Sequence, residues 1–285
     1  TNHIRYEPNI KGTFIRVEMA TVAPGALSST VVDLNPHLTY TTSSVSFEER
    51  EKSLGDPRGI VWNNAGTTAY VSGMGSNNII VINQAGQRAG LQQTIRVGEG
   101  PTGVALDESR DRLYVMNKFS GSISVVSLSS EAEIMQVPFF DPTVDEIKNG
   151  RRHLYNTHLN SGLGQISCAS CHVDGTMDRL AWDLGDPSGN SDPLTGLNLG
   201  FGLPGLTTGF EPFHPMKGPM TTQTLQDIVG HEPHHWRGDR AGLEAFANAF
   251  LALQGSDGPL PAHLMQEFEA FLATITIPPN PFRNL

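Results

Sequence analysis

The chain has 285 residues and a net charge of −10, with 38% hydrophobic residues, 17% charged residues, 30 glycines and 19 prolines. That length holds one large domain or two ordinary ones, and the composition is that of a folded chain rich in turns and poor in long helix. The acidic charge argues against nucleic acid or an anionic lipid surface as partner, and no apolar stretch approaches the ~20 residues needed to span a membrane.

Residues 13–34 begin with two strand-like runs, Phe14 to Val17 and Val31 to Leu34. From residue 55 an internal repeat takes over. Pro57-Arg58-Gly59-Ile60-Val61 recurs as Pro101-Thr102-Gly103-Val104-Ala105, Ala69-Tyr70-Val71-Ser72 as Leu113-Tyr114-Val115-Met116, and Ile79-Ile80-Val81-Ile82 as Ile123-Ser124-Val125-Val126, each 44 residues on. Short β-branched and aromatic runs alternate with Gly, Asn and Ser turns, which predicts antiparallel strands. A period of about 40–45 residues with about four strands is that of a β-propeller blade. The run at 13–34 does not match at the same offset, so two clear blades and one irregular one are expected. A closed ring takes at least about four blades. Either the blades stack openly or the natural protein has more chain, and the second is the expectation.

From Asp141 the pattern changes. Asp141-Pro142-Thr143 can start a helix, and Val144, Ile147 and Leu154 give it a partial apolar face. Next comes Cys168-Ala169-Ser170-Cys171-His172. C-x-x-C-H is the attachment pattern of haem c: two thiols add to the porphyrin vinyls, and the histidine becomes the proximal iron ligand. These are the only two cysteines in the chain, and a chance pair so spaced and followed by histidine arises about two times in ten thousand. Zinc would need a second ligand pair, which has no recognisable spacing here, although His231, His234 and His235 could supply it. A thioredoxin-like dithiol would need a strand-led βαβ unit, and none is visible. Haem attachment of this kind occurs outside the bacterial cytoplasm. The protein is therefore expected in the periplasm or beyond, and the start at Thr1 fits a processed or trimmed product.

Residues 183–219 are rich in Gly, Pro and Asp. Asp183, Asp186, Asn190 and Asp192 crowd a loop that could hold calcium, although its spacing matches no EF-hand. Two helices follow. One places Leu243, Phe246, Phe250 and Leu251 on a face, and the other Leu264, Phe268, Phe271 and Leu272, begun at Pro261 and stopped by Pro278-Pro279. The fold class is thus mixed and multi-domain. Propeller-type blades at 1–135 precede an α-helical, cytochrome c-like haem domain at 136–285.

The side chain opposite His172 separates an electron carrier from an enzyme. Met220 is the leading candidate and Met216 the second, 48 and 44 residues beyond His172. His214, His231, His234 and His235 compete with them. Met265 reads as core, and Met177 as too near the proximal histidine to reach round the ring. Arg237 and Arg240 suit haem propionates, since a guanidinium matches a carboxylate in two hydrogen bonds; an ion pair with Asp239 or Glu244 is the ordinary alternative. Trp182 and Trp236 read mainly as packing residues, with Trp236 also a candidate haem contact.

Several of these stretches resemble known families. The Tyr-Val-x-x strand of the repeat, followed by a turn and an Ile/Val strand, resembles the YVTN type of propeller blade. Gly150-Arg151-Arg152-His153-Leu154-Tyr155 resembles the helix that precedes C-x-x-C-H in cytochromes c. Lys217-Gly218-Pro219-Met220-Thr221-Thr222-Gln223-Thr224-Leu225 and His235-Trp236-Arg237-Gly238-Asp239-Arg240 resemble motifs of the bacterial dihaem cytochrome c peroxidase and MauG superfamily. The resemblance implies a haem oxidoreductase or electron carrier, a redox partner protein, and further blades or a second haem domain elsewhere. Members of that superfamily carry two haems, and this chain has one C-x-x-C-H, which departs from their peroxidase chemistry. Three functions follow in order: a haem electron-transfer domain, one haem-bearing portion of a peroxidase or oxygenase, and a propeller scaffold with a redox haem.

Overall fold

The 44-residue repeat becomes two four-stranded antiparallel sheets in the computed structural model, which describes residues 12–90, 94–185, 218–238 and 240–282. A small hairpin comes first, β1 (Glu18–Thr21) with β2 (Thr30–Asp33), followed by the one-turn helix α1 (Phe47–Arg50). The first sheet runs β3 (Pro57–Trp62), β4 (Thr68–Gly73), β5 (Asn78–Asn83), β6 (Ile95–Arg96). The second runs β7 (Pro101–Asp107), β8 (Arg112–Asn117), β9 (Ser122–Ser127), β10 (Ala132–Pro138). Register repeats with sequence: Tyr70 faces Val81 as Tyr114 faces Val125, and the ladder slips between Pro57 and Ile60 as it does between Pro101 and Val104.

Alternation along the strands gives each sheet two faces. Tyr70, Ile79 and Val81 of the first sheet pack on Leu113, Val115 and Val126 of the second. The opposite face of the first sheet, Ala69, Val71, Ile80 and Ile82, closes on Val17, Leu34 and Leu54. On the far face of the second sheet Tyr114, Met116, Ile123, Met135 and Val137 are exposed. The sheets stack, but among the described residues they do not close into a ring. Phe14 to Val17, expected as a strand, precedes β1 instead. Its apolar side chains serve packing, with Val17 in a core and Phe14 edge-on to Trp182, while Ile15 O accepts from Gln165 Nε2 at 2.9 Å.

The helical part begins later than the Asp141 signal indicates. Asp141 caps a turn at Thr143, and α2 spans Asp145–Tyr155 with Asp145 and Glu146 in its first turn, where their charge favours the helix dipole. The one-turn helix α3 (Thr157–Asn160) follows. The helix expected over 243–251 is broken into a 3-10 turn at Leu243–Phe246 and the short α4 (Ala249–Ala252); α5 spans Ala262–Leu272 directly after Pro261. Helices α2 and α5 meet at Gly150, where any Cβ would lie 1.9 Å from Glu267 O. Around that contact Leu154, Tyr155, Met265, Phe268, Phe271 and Leu272 form one core, which Met74 and Phe119 enter from the sheets. A polar seam completes the join: Thr157 N–H donates to Gly75 O (2.9 Å), His158 Nε2–H to Ser53 O (3.0 Å), and Arg152 pairs with Glu99 (2.9 Å). No helix is long and apolar enough to cross a membrane among the described residues.

Candidate functional site

The C-x-x-C-H segment forms a tight 3-10 turn at Cys168–Ser170, in which Cys171 N–H and His172 N–H both bond back to Cys168 O at 3.2 and 2.9 Å. Cys168, Cys171 and His172 all line a cavity of about 240 Å³. A single water needs roughly 10–15 Å³, so the space admits a much larger group. Its walls are mainly apolar and come from distant parts of the chain: Phe14, Ile166 and Leu225, Phe246 and Phe250, and Phe268 and Leu272 of α5.

His172 Nδ1 lies 2.8 Å from Gln223 O. A carbonyl can only accept, so Nδ1 carries the proton and Nε2 keeps its lone pair, the arrangement of a metal-ligating histidine oriented from behind. Burial pushes the His172 pKa down, partly opposed by that hydrogen bond, so the ring is neutral as a ligand must be. Burial pushes both thiols up to about 12. That is the reverse of the low-pKa thiolate that a reactive dithiol uses. Among the described residues no three His, Cys, Asp or Glu side chains gather as a metal site.

Two buried polar atoms on the same wall make no hydrogen bond: His234 Nε2, with Glu232 Oε1 3.7 Å away, and Gln254 Oε1. Buried polar groups are ordinarily paired, so a bound group with polar edges would complete them. The amide of Gln254 also reaches Cys168 Sγ, Nε2 donating at 3.5 Å. Two thiols one turn apart, an imidazole with a free Nε2, apolar walls and unpaired polar atoms fit a haem c.

Most of the candidates named from sequence converge here. Met220 lies on β12 (Met220–Thr221), which pairs with β11 (Ala181–Trp182), and it lines the cavity. Met265, expected as core, is both core and wall. His234 and His235 line the cavity, as does Arg237. Trp236 lines it while staying 60% exposed, its indole N–H donating to Thr221 O at 2.7 Å. Trp182 is wall rather than core, its indole N–H bonded to Asp178 Oδ2 at 2.7 Å. Arg240 is not on the wall; its carbonyl accepts from His234 N–H at 2.7 Å. His231 also lies off the wall, with Nδ1–H donating to Asp227 O at 2.6 Å, and Met177 is exposed. Met216, His214, Asp186, Asn190 and Asp192 fall outside the described residues, so only Asp183 of the calcium loop's carboxylates is described. Phe14, Gln223 and Gln254 went unnoticed, because no motif marks a backbone carbonyl or a wall residue 86 positions from Cys168.

No protein-family profile matches the chain, and no curated protein sequence matches it. Solved structures that match part of it, weakly, are β-propeller-like proteins. Hydrazine synthase of Kuenenia stuttgartiensis matches at 24% identity over 31% of this chain and 25% of that one, with a TM-score of 0.29. AztD of Citrobacter koseri matches at 16% identity over 44% and 30%, TM-score 0.29, and a streptogramin B lyase at 13% identity over 43% and 34%, TM-score 0.30. The chain spans a quarter to a third of the length of these proteins.

Proposed function

We propose that this chain is a c-type cytochrome, carrying one haem bound through Cys168 and Cys171 with His172 as axial ligand, and passing electrons to a redox partner protein in the bacterial cell envelope. The observation that carries the reading is the cavity wall on which both thiols and the imidazole lie together, with His172 Nδ1 bonded to Gln223 O. Haem, when bound, supplies a one-electron iron couple. The chain's residues do the rest. Gln223 O holds the imidazole in one tautomer and orientation. Apolar walls exclude water and favour the less charged, reduced iron. In this reading Met220, on the cavity wall, would hold the iron through sulfur, and Arg237, on the same wall, would pair with a propionate.

A second reading, the haem-bearing portion of a peroxidase- or oxygenase-type oxidoreductase, is favoured by one observation. His234 and His235 share the cavity with His172, and His234 Nε2 makes no hydrogen bond, with Glu232 Oε1 3.7 Å away. An imidazole there could hold or pass a proton beside the haem. Optical spectra of oxidised and reduced protein, with carbon monoxide added to the reduced form, separate the two. Sharp α and β bands, a weak ~695 nm band on oxidation and no carbon monoxide response support the carrier. Loss of the ~695 nm band in Met220→Ala then assigns the ligand. A high-spin spectrum that shifts with carbon monoxide transfers the argument to the enzyme reading.

A further inference from the structure

We propose that Arg58, a residue of the first sheet, positions the turn that follows His172 and tunes the reduction potential of the haem; the inference rests on the haem reading above. The guanidinium is held in two forks at once. Toward its own strand, Nε and Nη2 donate to Asp56 Oδ1 and Oδ2 at 2.9 and 3.1 Å. Across to the haem-binding segment, Nη1 and Nη2 donate to Asp174 Oδ2 and Oδ1 at 3.2 and 3.1 Å. Asp174 is the second residue after His172 and lies in the left-handed region, φ 51° and ψ 35°. An aspartate tolerates that conformation better than most residues, but not without cost.

The turn is tied on every side. Gly175 N–H closes onto His172 O at 2.9 Å, and Gly175 O accepts from Leu225 N–H at 3.0 Å. Leu225 lies two residues beyond Gln223, whose carbonyl orients the imidazole. Asp174 is therefore the link between the blade and the support of the axial ligand, and Arg58 is the side chain that grips it. Paired bidentate contacts fix geometry as well as charge.

Charge gives the test its sign. Taking away Arg58 leaves Asp56 and Asp174 as neighbouring carboxylates at the turn that follows His172, which would stabilise the ferric form of a bound haem. Taking away the charge at Asp174 does the opposite. A residue with a purely structural role would not produce opposite shifts. The experiment is a spectroelectrochemical titration of the haem-loaded full chain in four forms: wild type, Arg58→Gln, Arg58→Lys and Asp174→Asn. Arg58→Gln is expected to move the ferric-to-ferrous ratio at fixed potential roughly two- to fivefold toward ferric, the partial exposure of the cluster moderating a Coulomb effect of this range. Asp174→Asn moves it toward ferrous, and Arg58→Lys stays near wild type in potential. Faster amide exchange at Gly175 in Arg58→Gln reports the loosened turn.

Midpoints and spectra unchanged in both Arg58→Gln and Asp174→Asn, or shifted in the same direction, overturn the inference. Should Arg58→Gln not fold, Asp174→Asn decides alone, since asparagine keeps the shape and tolerates the left-handed backbone. A wild-type chain without covalent haem overturns the proposed function and this inference together. Haem present with the sign rule broken overturns the inference only.

Discussion

Gly150→Ala tests whether the contact between α2 and α5 supports the cavity. A Cβ at position 150 would sit 1.9 Å from Glu267 O and 2.7 Å from Phe271 Cβ, whereas ordinary contact starts at 3.4 Å. The nearest atom is a backbone carbonyl, which cannot rotate aside, so α5 must retreat by about 1.5 Å. A gap of about 0.5–1 Å already forfeits a quarter to a half of a dispersion contact, and this seam buries Leu154, Phe268 and Phe271. Overpacking strain, near the upper end of about 1–3 kcal/mol, and the lost contacts are partly offset by about 1 kcal/mol of helix propensity that alanine gains over glycine. The net expectation is a loss of about 3 kcal/mol, roughly 6–12 °C in Tm. Because α5 places Met265, Phe268 and Leu272 on the cavity wall, the haem spectrum should change as well. Urea and thermal unfolding of loaded and haem-free chains measure the first effect. A variant more stable than wild type would show that propensity outweighs packing, and the reasoning fails.

Three further outcomes are expected. Cys168→Ala or Cys171→Ala should leave a single thioether, and the double variant none, read as haem retained after denaturing electrophoresis; covalent haem in the double variant would refute the attachment site. Arg50, only 4% exposed, bonds Val45 O (3.0 Å), Gly162 O (3.1 Å) and Ser44 Oγ (2.8 Å) and pairs with the exposed Asp257; Arg50→Met removes all four contacts, with Gly162 O still bonded to Val45 N–H and Ser44 Oγ to Asp257, and should cost about 2 kcal/mol in urea unfolding, with a loss below ~1 kcal/mol contradicting the account. Burial, aided by the charge of Arg88, pushes the His37 pKa down from 6.5 to about 4. The folded state then binds fewer protons than the unfolded one between those values, so stability is full above about pH 6.5 and declines as pH falls through the window. His37→Gln should make the fall in urea midpoint between about pH 7 and 5 shallower. An unchanged slope would place the effect on the other buried histidines instead.

The two sheets could be read in advance because a blade is built from short-range pairings. Tyr70 with Val81 and Tyr114 with Val125 lie 11 residues apart in sequence and on neighbouring strands, so alternation, turns and spacing carry the information locally. Residues 14–17 misled the strand reading for the converse reason. Their apolar run matches a strand, yet Val17 meets Leu34 and Phe14 meets Trp182, and a one-dimensional pattern does not distinguish burial against a neighbour from burial within a sheet. The stretch at 243–251 has helical periodicity, but its backbone divides into a 3-10 turn and a single α-turn, since apolar spacing reports the buried face and not the continuity of the hydrogen bonds.

The haem motif and its setting differ in the same way. Cys168, Cys171 and His172 announce themselves because the chemistry requires three residue types at fixed spacing. The setting of the motif comes from elsewhere: Gln223 O behind the imidazole, Gln254 against Cys168, and Arg58 gripping Asp174 from a blade 116 residues away. None of these needs a particular neighbour in sequence; a backbone carbonyl can come from any residue. A fork between Arg58 and Asp174 exists only if the first sheet and the turn after His172 meet in one orientation, which Gly150, Gly75 and Thr157 permit through their close contacts. In the proposed reading the motif names the cofactor, while the packing of the sheets on the helices would govern how firmly His172 is held and what potential the iron takes. A substitution in a blade should change the haem whenever it reaches that seam, and leave it untouched on the exposed face of Tyr114 and Met116.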